Sequence, residues 1–146
     1  MEQWQLKIES LIDKFYKSDL MPAYKAVDRA VSVGFAANFA SRVDETGMAW
    51  RPHAPATIAM YGVHDLLILS GAMYAAATRP EGLGHIFRVN GNEVTIGVDG
   101  VIIPYAIVHH VGTARVPRRR VIYVNDVTLG KAFETFQSIV TAIIGA

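Results

Sequence analysis

The chain has 146 residues, of which 51% are hydrophobic and 18% charged, with a formal net charge of +1 and no cysteine. That is the size of one ordinary domain, residues 1–146, and its apolar share fits a packed core with surface left over for subunit contacts, not a disordered segment. Without cysteine there can be no disulfide framework, thiol nucleophile or thiolate zinc site, and a charge near zero gives no global pull toward nucleic acid or an anionic membrane.

The N-terminal stretch MEQWQLKIES carries no basic region followed by an apolar one and no small-residue cleavage site. No later stretch has the uninterrupted apolar length of a membrane span, so the expectation is a soluble, unsecreted chain. From Trp4 to Phe15, Leu6, Ile8, Leu11, Ile12 and Phe15 recur near helical spacing and predict a first amphipathic helix. Ser18 and Asp19 break the pattern. Pro22 suits a first helical turn, and Ala23 to Phe39 reads as a second helix with Ala26, Ala30, Val33 and Ala37 on one side, small enough for close packing against another helix.

Ser41 to Thr57 loses periodicity and gathers Gly47, Pro52 and Pro55, which predicts a long loop that orders on assembly because it holds few apolar anchors. Val63 to Leu69 is a short apolar run closed by Ser70-Gly71, and Ala72 to Thr78 forms a further helical turn. The segment HIFRVNGNEVTIGV alternates on both sides of Asn90-Gly91, a turn dipeptide, and predicts a β-hairpin over about 85–98. Pro104 and Gly112 bracket a short helix at about 105–111, RRVIYV reads as another strand, and Asp126 or Thr128 caps a last helix. Leu129, Phe133, Phe136, Ile139, Val140 and Ile143 mark its apolar face. The fold class is α+β: helices at both ends around a small antiparallel sheet.

Chemistry-bearing residues are few. His109 and His110 are adjacent, so on a helix or a strand their imidazoles diverge and do not readily clamp one ion; His53, His64 and His85 are scattered, and no HExxH spacing exists. No metal site or cofactor is expected, and the bland account of the pair is a helix-end histidine bonded to backbone or to a neighbouring subunit. Phosphate loops are absent, Asp44 and Glu45 read as a solvated turn, and LILSGA lacks the nucleophile elbow that would activate Ser70. No enzymatic activity is expected. Arg115, Arg118, Arg119 and Arg120 lie within six positions, so at least two share a face; they are candidate contacts for DNA phosphate or an acidic partner surface, against a solvated loop as the plain alternative.

Four motifs taken in order resemble the phage virion-morphogenesis proteins of the tail-completion type. They are Trp50, Pro52 and Thr57 in WRPHAPAT; Leu67, Ser70, Gly71 and Met73 in LILSGAM; Tyr105, Ala106, His109 and Gly112 in PYAIVHHVG; and Pro117 and Arg119 in VPRRRVIYV. The resemblance runs from about Ala36 to the C-terminus. His110 stands where a glutamine is usual, Val116 replaces an isoleucine, and Arg118 and Arg120 stand where alanine and proline are usual. The resemblance implies a structural virion protein that completes the tail or neck and allows head–tail joining, as a homo-oligomeric ring, a hexamer, around the DNA channel. Its implied partners are neighbouring neck and tail proteins, with non-specific DNA contact and no membrane. The implied location is the virion, reached through the host cytoplasm during assembly. A tail terminator or head-closure protein is the alternative; a small ligand-binding domain or enzyme would need a convergent polar pocket that the sequence does not display.

Overall fold

The computed structural model describes residues 10, 13–62, 65–68 and 71–145. Most of the first expected helix, and also Val63, His64, Leu69 and Ser70, lie outside them, although residues 13–17 are helical. The elements that follow are α1 (Met21–Ser41), α2 (Pro55–Tyr61), α3 (Ala72–Thr78), β1 (His85–Asn90), β2 (Glu93–Val98), α4 (Pro104–Val111) and α5 (Asp126–Gly145). This is the α+β arrangement expected, with helices flanking a two-stranded antiparallel sheet.

The hairpin forms over the expected residues, but the turn sits one position later than Asn90-Gly91. Asn90 pairs with Glu93, so Gly91 and Asn92 are the central residues. Gly91 has φ 61° and Asn92 has no positive φ, the signs of a type II′ turn, which takes glycine at its first central position. Both strands rest on α3, and β2 also touches α1.

Helix α1 starts with Pro22 in its first turn and packs antiparallel on α5: Gly34 meets Thr128 near one end and Tyr24 stacks on Phe136 near the other, ring centroids 5.5 Å apart. A Cβ on Gly34 would collide with the Thr128 side chain, so the backbones approach there as closely as small residues allow. The expected stripe on α1 was rotated. Val33 and Ala37 are exposed, whereas Asp28, Ser32 and Asn38 are buried beside Val31, Phe35 and Phe39. For Asp28 and Asn38 the reason is bonding, whereas Ser32 Oγ is buried without a partner among the described residues. Asn38 Nδ2 donates to the carbonyls of Val121 and Tyr123 at 2.8 and 2.9 Å, and Asp28 Oδ1 lies 2.7 Å from His85 Nε2.

His85 Nδ1 is 2.7 Å from the Ala76 carbonyl, which requires a proton on Nδ1, so a second proton is shared between Nε2 and the Asp28 carboxylate. Burial raises the Asp28 pKa from its ordinary value, and the bond to His85 opposes that rise. The pair ties α1, α3 and the hairpin together. The core cluster includes Val31, Phe35, Phe39, Trp50, Met73, Ile103, Val121 and Ala132.

RRVIYV is not a strand: it bends at Ile122, where the Tyr123 N–H closes on the Val121 carbonyl at 3.1 Å. Among the described residues the two strands pair only with each other, and the segment's carbonyls at Arg120, Val121 and Tyr123 are taken by the Trp50 indole and the Asn38 amide instead. The cap of α5 is neither Asp126 nor Thr128 but Asn125, whose Oδ1 accepts the Thr128 N–H at 2.9 Å. On α5 itself Thr128 and Ala132 are buried, Phe136, Ile139, Val140 and Ile143 are half-buried, and Leu129 and Phe133 are exposed, so the apolar face expected there is only partly covered.

Candidate functional site

Ser41 to Thr57 is not an open loop. Val43 bridges Ala49, the Trp50 N–H donates to the Arg42 carbonyl, and Asp44 Oδ1 gathers the N–H groups of Thr46 and Met48 and the Thr46 hydroxyl at 2.6–3.0 Å. Those bonds, the Thr46 hydroxyl foremost, hold the Asp44 pKa below its ordinary value. Trp50 is the apolar anchor: it is buried edge-on to Phe39 and donates through Nε1 to the Arg120 carbonyl at 3.1 Å. Pro55 then opens α2 at its first turn, and Gly62, at φ 75°, ends it.

Helix α4 explains the arginine cluster. The last carbonyls of an α-helix have no partner within the helix. Here the Gly112 N–H closes on Val108, the Arg119 N–H donates to His109 at 2.8 Å, and Arg120 Nε donates to His110 at 3.2 Å. A guanidinium at a helix C-terminus is also favoured by the helix dipole. Gly112 has φ 79°, and a Cβ there would meet the Arg118 backbone at 3.0 Å, so this position needs glycine on both counts.

The four arginines thus play three parts. Arg119 is only 6% exposed and donates through Nε to the Arg51 carbonyl at 2.9 Å and through Nη2 to the Pro52 carbonyl at 3.0 Å. Burial lowers its pKa from the ordinary guanidinium value, and the group stays charged. Arg118 and Arg120 both reach Glu45 Oε1, at 3.0 and 2.7 Å, and Arg118 lies 3.8 Å from Asp44. The Glu45 pKa is lowered, first by its own backbone N–H and then by these two cations. Arg115 is exposed and finds no side-chain partner among the described residues. Asp44 and Glu45, read from the sequence as a solvated turn, are therefore the counter-ions of Arg118 and Arg120; their opposite charge was the one signal for it.

The histidine pair divides as well. The His109 ring stands edge-on to Tyr105, and its Nδ1 is buried without a partner among the described residues, so the bonds at this helix end come from backbone carbonyls and not from the imidazole. Burial, then the Arg119 charge, lowers the His109 pKa from its ordinary value; burial and Arg120 do the same for His110. Among the described residues no group of three or more His, Asp or Glu could hold a metal ion, and no helix is long and apolar enough to cross a membrane.

These pieces enclose a cleft of about 550 Å³ between α2, α4 and the segment 115–119. Pro52, Thr57, Leu67, Tyr105, His109, Pro117 and Arg119, drawn from all four motifs, line it. Leu67 holds φ 65°, a left-handed conformation uncommon for a branched side chain. Gly71 caps α3 at φ 78°, Met73 is in the core and Ala106 packs on it, so these motif residues shape the support of the cleft. The rim adds Arg51, His53 and Arg115, and among the described residues no acidic side chain lines the cleft. The sequence did not display this pocket, because its walls come from positions 51 to 119. The chain matches no family model, no curated protein and no solved structure.

Proposed function

We propose that this chain is a structural virion protein of a tailed phage or prophage that completes the tail or neck and allows head–tail joining, as a ring around the DNA channel. One observation carries the reading. The motif residues that resemble the tail-completion proteins are up to 69 positions apart in the chain (from Trp50 to Arg119), yet they bond one another: Arg119 holds the backbone on either side of Pro52, and the helix bearing Tyr105 and His109 is closed by the Arg119 N–H. Residues that build one unit are expected to recur together as a pattern, which four unrelated short matches would not do.

The arginine contact is revised by the geometry. Arg118 and Arg120 are spent on Glu45 within the chain, which leaves Arg115 as the cluster's member available to phosphate or to a partner. Exposed apolar side chains on α4 and α5 supply two separate patches, as a ring contact between different faces requires. A tail terminator or head-closure protein remains the second reading. The test is electron microscopy of lysates from phage with an early stop codon in this gene. Filled heads beside separate tails of normal length are the expected result; overlong tails would move the assignment to a terminator, and intact infectious particles would overturn it.

A further inference from the structure

We propose that the cleft is the receptor for the outer shoulder of α5 on a second copy of this chain, the two copies joined head to tail. The proposal deepens the ring reading and rests on it for its biological setting; the two surfaces are read from the chain itself.

Among the described residues the shoulder is apolar and uncovered. Leu129 and Phe133 are 60% and 66% exposed, continue into the half-buried Phe136 and Val140, and are preceded by the exposed carboxylate of Asp126. Asp126, Leu129 and Phe133 stand at i, i+3 and i+7, so they form one line along the helix. Among the described residues Asp126 makes no ion pair.

The cleft has the opposite character in charge and the same in polarity. Its walls are Pro52, Leu67, Tyr105, Val116 and Pro117, while its rim carries Arg51 and Arg115, whose guanidinium groups have no partner among the described residues. A helix that offers an aromatic anchor and an acidic head is the complement of such a groove. The cleft's volume of about 550 Å³ accommodates a phenylalanine side chain together with its neighbours on one helix face.

No residue of α5 lines the cleft, so the two surfaces are separate on one molecule. A contact between different patches is heterologous: each copy offers a shoulder and a cleft, and repetition closes a ring or runs on as a filament. A symmetric α5-to-α5 dimer would leave the cleft and its cations empty, and a small ligand would leave the shoulder bare.

Two variants test this in the purified full chain by light scattering coupled to size exclusion. Phe133→Lys keeps the cleft and spoils the shoulder; Thr57→Trp keeps the shoulder and fills the cleft, with Arg115→Glu as a second cleft variant at an exposed position. Circular dichroism confirms that each is folded. Wild type is expected to assemble, each variant to be monomeric alone, and Phe133→Lys mixed with a cleft variant to form a 1:1 dimer and nothing larger, since only one intact shoulder and one intact cleft remain. A monomeric wild type, unchanged assembly of the cleft variants, or a mixture that stays monomeric overturns the proposal. None of these results depends on a phage, so they are separable from the stop-codon experiment.

Discussion

Helix α1 and helix α4 make opposite use of their residues. The first buries nine side chains or backbones, three of them polar, whereas the second, PYAIVHHV, buries none although most of it is apolar. For two of the three polar residues burial follows a bonding partner, while the Ser32 hydroxyl is buried without one among the described residues. Asp28 and Asn38 are inside because His85 and two carbonyls meet them, and a satisfied polar group costs little to bury. Ile107, Val108 and Val111 stay exposed, with Gly100 lying against the Ile107 side chain. One helix holds the fold and the other faces outward.

The comparison breaks most sharply at Asn38. Asn38→Ala strands the Val121 and Tyr123 carbonyls and is expected to cost about 2–4 kcal/mol, read as a lower urea midpoint; a loss near zero would mean that the amide bonds do not organise the core. A smaller effect is expected from protons at the cleft. His109 has a lowered folded pKa, so its contribution is present above the ordinary histidine value of about 6.5 and is lost as pH falls through that value toward the folded one. Melting temperatures measured from pH 7.5 down to pH 5 should therefore fall less steeply in His109→Phe than in wild type, and equal slopes would contradict the burial of the ring. The smallest effect belongs to the outward face of α4. Ile107→Asn should leave the urea midpoint within about 0.5 kcal/mol of wild type, and a large loss would show that α4 is held by packing after all.

Much of the backbone was legible because local signals are strong where the chain must turn. The glycine of the 85–98 hairpin, the Pro104 and Gly112 that bracket α4, and the Gly71 that opens α3 are steric requirements that a few residues state by themselves. Helix α2 carried the same kind of signal in Pro55 and Gly62 and was hidden because Pro55 was read with Pro52 and Gly47 as part of the 41–57 loop. Longer-range facts were out of reach. The face of α1 was misjudged because partners for Asp28 and Asn38 lie 57 and 83 residues away. RRVIYV has the composition of a strand, but strand formation needs a neighbour's free edge, and side chains took its carbonyls first. The cleft could be named only motif by motif, since proximity of Pro52 to Arg119 is a property of the folded chain.

The segment between His110 and Arg119 has one more consequence. Its ends are fastened to each other by the backbone bond from Arg119 to His109 and the guanidinium bond from Arg120 to His110, while Thr113 to Arg115 are exposed. A loop closed at its base can lengthen at little entropic cost and without moving what it closes on. Within the loop Thr113 makes the turn, its N–H donating to the Val116 carbonyl and its hydroxyl accepting from the Arg115 and Val116 N–H groups, so length and side chains at Ala114 and Arg115 are the part of this rim least tied to the scaffold.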